Sequence, residues 1–228
     1  MSALMNILPE VRQALAENIP IVALESTIVA HGFPYPDNLI VGQALHDAVR
    51  DAGAIPAMVA IKNGVVQVGL DERGLEYIAA CEDEEKCGVA DIAAVTALGA
   101  HGATTVSASI KIAALVGIEI FATGGLGGVH RHAKGASEQP FDISADLVAM
   151  SRTPITAVSS GAKTLLDLPA TVEALESLGV PVLGFGVQEF PAFYVASSGV
   201  PLRHRFDSVS ELARASLLYT SPSPRDKA

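Results

Sequence analysis

The sequence predicts an α/β fold built as three α/β/α layers around a largely parallel central sheet. Short apolar runs alternate with helical patterns along most of the 228 residues, and that alternation is typical of strands joined by helices. Runs such as Ile155-Thr156-Ala157-Val158 show no polar alternation, which favours strands covered by helices on both faces. The absence of Trp and an aromatic content of 5% agree with small side chains that pack helices against a sheet.

The predicted elements follow one another in a regular order. The first twenty residues are expected to form a surface helix, because charged residues interrupt apolar ones at roughly helical spacing. Apolar runs predict strands at 21–24, 57–61, 65–68, 119–122, 155–158 and 182–185. Helical patterns predict helices at 37–51, 72–80, 105–116, 143–150 and 165–178, of which 105–116 should be a buried helix.

The composition excludes several classes of protein. A chain of 228 residues, of which 50% are hydrophobic, buries a substantial core, so disorder is excluded. A formal net charge of -10 without a run of Lys and Arg argues against a nucleic-acid partner, because the phosphate backbone is bound through many basic contacts. Lys111 and Glu119 interrupt the most apolar stretch, so we expect no membrane span. Cys81 and Cys87 make no secreted disulfide framework, and a reducing cytoplasm is the expected location.

A change of composition divides the chain near its end. We expect a single domain over residues 1–215, incomplete at its C-terminus, and a different segment at 216–228. Ser and Pro in that segment abolish the helical periodicity that begins at Val209. The segment is interpreted either as a disordered tail or as non-native sequence, since it resembles translated sequencing-adapter sequence.

Polar residues follow three of the predicted strands, at the point where each strand ends. They are Glu25-Ser26-Thr27, the glycine-rich stretch 124–131, and the stretch 159–163 that ends at Lys163. Ligands of open α/β sheets bind outside the carboxyl ends of the strands, so these stretches are candidates for a site. The glycine-rich stretch matches the spacing of a dinucleotide-binding loop poorly; it is either a tight turn or a ligand-touching loop that carries His130 and Arg131.

Two side chains at these strand ends are candidates for catalysis. Lys163 follows an apolar strand and a turn of small residues, a setting that should desolvate an amine and lower its pKa, as a Schiff-base lysine requires. A lysine that extends from a sheet edge into solvent explains the same pattern. Glu25 lies at an apolar strand end, where burial raises a carboxyl pKa and suits general-acid work, although a satisfied structural carboxylate is equally compatible.

Helix starts supply the remaining candidates. Thr104, Thr105, Ser107 and Ser109 begin an apolar helix, whose free N–H groups form an anion site unless Thr simply caps the helix. Asp142, Ser144 and Asp146 open another helix, where they either cap it or bind a hard divalent cation through oxygen. Lys86, in an acidic stretch, would ordinarily be a solvated ion-pair partner, and the His130/His132 pair is more typical of a surface than of a metal site.

Several motifs, in order along residues 8 to 215, closely resemble the pseudouridine-5'-phosphate glycosidase family, which includes the indigoidine-cluster A proteins. The matching strings are Ala23-Leu24-Glu25-Ser26-Thr27-Ile28, His31-Gly32-Phe33-Pro34-Tyr35-Pro36, Gly102-Ala103-Thr104-Thr105-Val106, FATGGLGGVHR at 121–131, FDISADL at 141–147, and Gly161-Ala162-Lys163 followed by Leu166-Asp167-Leu168. The resemblance implies an enzyme that cleaves the C–C glycosidic bond of pseudouridine 5'-phosphate, reversibly, to uracil and ribose 5-phosphate. It also implies one Mn²⁺ per subunit and a homotrimer.

Roles for individual residues come from the same resemblance. Lys163 is similar to the nucleophile that forms a covalent adduct with ribose, and Glu25 to the proton donor that helps open the ribose ring. Asp142 resembles the metal ligand, which holds the ion partly through waters. The substrate-binding positions implied are Lys86, Thr105, Val106, His130, Ser144, Ala145 and Asp146.

This chain also departs from the family pattern. Two arginines that usually follow the binding lysine are absent after Lys86, and the loop 132–140 is longer than in close relatives. The family chain continues for several tens of residues beyond Ala215, with an Asn-bearing segment that contributes to the active site. The alternatives are therefore a truncated inactive fragment, or a Schiff-base lyase or aldolase acting on another phosphosugar.

Overall fold

The computed structural model describes residues 4–131, 142–195 and 197–220. The chain divides into two compact units, Met1–Ala122 and Thr123–Ala228. The fold is the predicted α/β architecture with a mostly parallel sheet. No described helix is long and apolar enough to cross a membrane.

The first unit carries most of the sheet. Its strands are β1 (Met5–Ile7), β2 (Ile21–Leu24), β3 (Ile55–Lys62), β4 (Val65–Val68), β5 (Glu85–Cys87), β6 (Gly102–Thr104) and β7 (Ile120–Thr123), the last of which ends one residue into the second unit. Its helices are α1 (Pro9–Glu17), α2 (Thr27–His31), α3 (Asp37–Asp51), α4 (Glu72–Ala80), α5 (Ile92–Ala97) and α6 (Val106–Leu115).

Parallel pairing dominates the sheet of the first unit. Its strands follow the order β1-β4-β3-β2-β7, while β6 pairs with β3 and β5 pairs with β6. The pairs β1/β4, β2/β3, β2/β7 and β5/β6 are parallel, whereas β3/β4 and β3/β6 are antiparallel. The antiparallel β3–β4 hairpin turns at Asn63 and Gly64, both with positive φ, because an Asn-Gly pair adopts the tight hairpin turn with little strain.

The core of the first unit lies on either side of β3. Every β3 residue from Pro56 to Ile61 is buried, as expected for a strand without polar alternation. Met58 packs in a cluster with Leu24 of β2 and with Leu75 and Ile78 of α4. Asp71 fixes the start of α4, because its side chain accepts a hydrogen bond from the Gly74 N–H at 2.7 Å.

The second unit has shorter strands and its own core. Its elements are β8 (Val129–His130), α7 (Ala145–Ser151), β9 (Thr156–Ser159), β10 (Leu166–Asp167), α8 (Leu168–Ser177), β11 (Leu183–Phe185), β12 (His204–Phe206) and α9 (Val209–Thr220). β8 and β10 pair antiparallel, and β11 and β12 pair parallel. Leu147, Leu166, Leu175 and Phe190 form the centre of its buried cluster.

Two sequence-based expectations need correction. Residues 5–17 form β1 and α1, not a single helix, because Pro9 begins the helix and a proline is tolerated at a helix start but not inside. α1 buries one face through Val11 and Ala14, as an amphipathic surface helix does. In β9, Val158 is 56% exposed, so the expectation that this run is covered on both faces is wrong.

The C-terminal helix passes the predicted boundary. α9 continues to Thr220, so the periodicity that begins at Val209 extends beyond residue 215. The remainder of the predicted tail, 221–228, lies outside the described residues. The domain limits of 1–215 and 216–228 stay a prediction.

Candidate active site

The end of β2 presents Glu25 in the first unit. Glu25 is half-buried, and one of its carboxylate oxygens accepts a short hydrogen bond from the Thr27 hydroxyl. The next residue, Ser26, is fully buried and accepts a hydrogen bond from the Thr104 N–H at 2.9 Å. Glu25 therefore follows directly on β2 and precedes the buried, hydrogen-bonded Ser26. Glu25 itself is only half-buried, which is less than its position at an apolar strand end predicts.

Buried hydroxyl groups connect that strand end with the start of α6. The Thr104 hydroxyl donates to the carbonyl oxygen of Val59 in β3 at 2.6 Å and lies 2.8 Å from the Ser109 hydroxyl. All three hydrogen-bonding groups are buried, where an unmade hydrogen bond costs about 1–3 kcal/mol. The network fixes β6 and the first turn of α6 against β3.

The N-terminus of α6 retains its capacity to bind an anion. The Thr105 hydroxyl bonds the Ser107 hydroxyl at 3.0 Å, and Thr105 makes no side-chain cap to the helix backbone. Capping by Thr105, one of the two readings of this helix start, is therefore not observed. Exposed Lys86 lies on the neighbouring strand β5, opposite Ala103 of β6. A helix N-terminus with an adjacent lysine suits a phosphate group.

Lys86 itself departs from one expectation. Among the described residues it makes no ion pair, so it is not held as a surface ion-pair partner. One of the acidic residues around it, Glu84, is 7% exposed, and its two carboxylate oxygens have no hydrogen-bond partner in the part of the chain that the structure describes. Desolvation by burial raises the pKa of Glu84 to about 8. No pattern predicts the burial of Glu84, because the stretch 82–85 is uniformly acidic.

In the second unit, the glycine-rich stretch holds the turn that carries Lys163. The Leu126 N–H donates to the Gly161 carbonyl oxygen at 2.9 Å, and the Lys163 N–H donates to the Leu126 carbonyl oxygen at 3.1 Å. Lys163 is exposed, so the desolvated setting, one of the two interpretations of this lysine, is not observed. The position matches the solvent-facing alternative, with the backbone around the lysine ordered by hydrogen bonds.

Ser144, Ala145 and Asp146 open α7 beside the same stretch. The Ser144 hydroxyl caps the helix by accepting from the Asp146 N–H at 3.2 Å. Asp146 is 7% exposed and accepts from the Gly127 N–H at 2.9 Å. A Cβ on Gly127 would lie 2.2 Å from the Ser144 hydroxyl oxygen, so only glycine fits there. The segment thus orders the glycine-rich stretch, and the capping interpretation of Ser144 is confirmed.

Asp142 and His130 face each other at the edge of this unit. The His130 N–H donates to the Asp142 carbonyl oxygen at 2.9 Å, and His130 Nδ1 lies 3.7 Å from Asp142 Oδ2. The Asp142 side chain is 70% exposed. Within the described ranges, no three His, Cys, Asp or Glu side chains are grouped to hold a metal. The other histidine of the predicted pair, His132, lies outside the described residues.

The structure thus distributes the candidates between the two units. Glu25, Lys86, Thr105 and Val106 belong to the first, and His130, Asp142, Ser144, Ala145, Asp146 and Lys163 to the second. Strand ends and helix starts carry nearly all of them, which is the arrangement of an α/β enzyme that acts on a small molecule.

Comparison with known proteins identifies the family. The model of the family described as "Indigoidine synthase A like protein" matches residues 10–221, and the chain belongs to that family. A pseudouridine-5'-phosphate glycosidase of Paracoccus denitrificans is 50% identical over 220 residues, which cover 96% of this chain and 71% of the relative. One of Jannaschia sp. is 52% identical over 210 residues, covering 92% of this chain and 68% of the relative.

Solved structures give the same family. The prealnumycin C-glycosynthase AlnA, in complex with ribulose 5-phosphate, superposes with a TM-score of 0.85 at 38% identity. The superposition covers 96% of this chain and 71% of the AlnA chain. An indigoidine synthase A-like protein of Thermotoga maritima superposes with a TM-score of 0.82 at 34% identity. The superposition covers 93% of this chain and 68% of the Thermotoga protein. These identities confirm the predicted family and fold class.

Proposed function

We propose that this protein cleaves the C–C glycosidic bond of pseudouridine 5'-phosphate, reversibly, to uracil and ribose 5-phosphate. The observation that carries the proposal is the 50% identity to a relative of that name across 96% of this chain. The family match over residues 10–221 includes every residue to which a role is assigned below. A neighbouring structure that binds a pentose 5-phosphate supports a phosphosugar substrate.

The chemistry of the substrate explains why a lysine is needed. A C–C glycosidic bond has no heteroatom leaving group, so a pair of carboxylates of the ordinary glycosidase type does not suffice. In the proposed reaction the Lys163 amine bonds to ribose C1', the C1'–O4' bond breaks, and O4' takes a proton from Glu25. The attached nitrogen releases one proton, and its lone pair forms the C1'=N iminium bond as the C1'–C5 bond breaks. The electron pair of the C1'–C5 bond goes to uracil C5, which takes up the proton released by the nitrogen. Water hydrolyses the resulting lysine iminium and releases ribose 5-phosphate.

Binding roles follow from the local chemistry of each unit. We assign the 5'-phosphate to the N-terminus of α6, where the N–H groups after Thr105 and the ammonium group of Lys86 supply positive charge. In the second unit, His130 is assigned to the uracil side, and the segment Ser144-Ala145-Asp146 to substrate contact. Because Asp146 Oδ2 accepts the Gly127 N–H, Asp146 also keeps the glycine-rich stretch in place.

A divalent cation, expected to be Mn²⁺, is assigned to Asp142. A largely hydrated cation needs only one or two carboxylates, and the exposed Asp142 carboxylate meets that requirement. When bound, the cation supplies positive charge and ordered water. Titration with Mn²⁺, followed by electron paramagnetic resonance, should show binding to the wild type and weaker binding to Asp142→Asn; equal binding would refute the assignment.

The proposal also includes the oligomeric state and the cellular compartment of the protein. We propose a homotrimer in the cytoplasm, a location supported by the free cysteines Cys81 and Cys87. Sedimentation equilibrium should give three times the 23.5 kDa chain mass, and a monomer or dimer would contradict it.

A direct assay tests the reaction. The protein is incubated with pseudouridine 5'-phosphate and Mn²⁺, and uracil release is followed by chromatography. Uridine 5'-phosphate, which carries a C–N bond, is the matched control substrate, and Lys163→Arg is the control variant. We expect uracil from pseudouridine 5'-phosphate with the wild type alone. Release of uracil by Lys163→Arg would refute the role of the lysine, and no release by the wild type would refute the activity of this chain.

A further inference from the structure

We propose that Arg131 is a positioning residue that fixes the turn carrying Lys163, an inference that rests on the proposed function of that lysine. The Arg131 side chain donates from Nε to the Leu166 carbonyl oxygen at 2.9 Å and from Nη2 to the Thr164 carbonyl oxygen at 3.2 Å. Both acceptors lie within three residues after Lys163. One guanidinium group therefore bridges two carbonyl groups of the turn.

Apolar packing holds the turn at its two ends, where Ala162 and Leu166 belong to the buried cluster of the second unit. Between the two acceptors it does not, since Leu165 is 59% exposed. The first half of the turn is tied to the glycine-rich stretch by the hydrogen bond from the Lys163 N–H to the Leu126 carbonyl oxygen. The second half closes with the Leu166 N–H donating to the Lys163 carbonyl oxygen at 3.0 Å. Arg131 completes the fixation from the side of β8.

Strand pairing places Arg131 for this contact. Leu166 of β10 is paired with His130 of β8, and Arg131 is the next residue along the chain. The Leu166 side chain is 1% exposed and belongs to the core of the second unit. The bridge thus connects an exposed, chemically reactive turn to a buried anchor.

An arginine suits this task better than a lysine. The planar guanidinium group presents several N–H donors in fixed directions, whereas a lysine ammonium is a point charge on a flexible stem. Hydrogen bonds from a charged donor are also stronger than neutral ones. A nucleophile that is displaced by about 1 Å can lose about a hundredfold in rate, and Lys163, being exposed, relies on its backbone for placement.

The test uses steady-state kinetics of pseudouridine 5'-phosphate cleavage with Arg131→Lys and Arg131→Met. Matched controls are Arg152→Lys and Arg152→Met, since Arg152 is an exposed arginine of the same unit without a side-chain hydrogen bond or ion pair to any described residue. We expect kcat to fall about tenfold to hundredfold in both Arg131 variants, with KM changed less than about twofold. The Arg152 variants should match the wild type.

Hydrogen exchange of the same variants gives a readout that is independent of activity. The peptide that contains Lys163 to Asp167 should exchange faster in both Arg131 variants, while the peptides of α7 and α8 exchange as in the wild type. A substrate-binding arginine would instead raise KM, keep kcat, and be largely replaced by lysine. A purely structural arginine would accelerate exchange throughout the second unit and lower its melting temperature.

These outcomes separate the two proposals. If the wild type cleaves pseudouridine 5'-phosphate and the Arg131 variants match it in kcat, only the positioning role is overturned. A rise in KM with unchanged kcat, or faster hydrogen exchange throughout the second unit, overturns the positioning role as well. If the wild type releases no uracil, the proposed function fails, and the role of Arg131 fails with it.

Discussion

Glu84 lies between α4 and β5 as a buried carboxyl group that has no hydrogen-bond partner within residues 4–131, 142–195 and 197–220. Its pKa is raised to about 8 because burial disfavours the charged form. The folded protein therefore holds this proton at pH values where the unfolded chain has released it. The contribution of this group to the free energy of unfolding is largest below the ordinary pKa of 4.5. It decreases as the pH rises and no longer changes above about pH 8.

The magnitude follows from the size of that shift. Between pH 4.5 and about 8, the free energy of unfolding should fall by about 1.4 kcal/mol for each pH unit through this group alone. The full cost of ionising the buried group is then at most about 5 kcal/mol. Glu84→Gln removes the ionisation and keeps the shape of the side chain. The free energy of unfolding of the variant should therefore rise relative to that of the wild type as the pH rises.

Urea unfolding at pH 5.5, 7 and 8.5 measures this directly. We expect the difference in free energy of unfolding, Glu84→Gln minus wild type, to increase at each step. Glu85→Gln is the matched control, since Glu85 is the exposed neighbour, and its difference should stay constant. The pKa values of Tyr77 and Cys81 are raised, by desolvation first and by the Glu84 charge to a lesser extent. A difference for Glu84→Gln that is constant with pH would refute the reasoning.

Three further substitutions test individual interactions of the fold and of the glycine-rich stretch. Asn38→Ala leaves two buried carbonyl groups without their donor and should lower the free energy of unfolding by about 2–4 kcal/mol in urea titrations; a loss below about 0.5 kcal/mol would contradict those bonds. Asp71→Ala removes the N-cap of α4 and should lower the free energy of unfolding by about 1 kcal/mol, measured as a lower melting temperature. Asp71→Asn should retain most of the stabilisation by the cap. Gly127→Ala drives a methyl group into the Ser144 hydroxyl and should reduce uracil release about tenfold or more; unchanged activity would show that the stretch moves aside freely.

Local patterns predicted the longer elements well. α3, α4, β2 and β4 have the bounds expected from the sequence, because apolar periodicity and turn residues are properties of neighbouring residues. Of the described strands with two or three residues, β11 lies in the apolar run predicted at 182–185, whereas β1, β5, β6, β8, β10 and β12 were not predicted. Strands of two or three residues are too short to show a period, and their pairing partners are distant in the chain.

Burial at individual site residues was harder to predict than their identity. One of the two interpretations of Lys163 placed its amine in a desolvated setting, and the residue is exposed, whereas Glu84 stands in an acidic stretch and is buried. Exposure depends on which elements pack over a residue, and that is decided by tertiary contacts. The site residues themselves could be recognised because several motifs occur in one order, which single spacings do not provide.

The covalent role of Lys163 is the most direct test of the proposed chemistry. The protein is incubated with ribose 5-phosphate and Mn²⁺, reduced with borohydride, digested, and mapped by peptide mass spectrometry. We predict a reduced pentose phosphate adduct on Lys163 in the wild type and its absence in Lys163→Arg. An adduct confined to Lys86 or another lysine, or no adduct in a wild type that releases uracil, would contradict the mechanism.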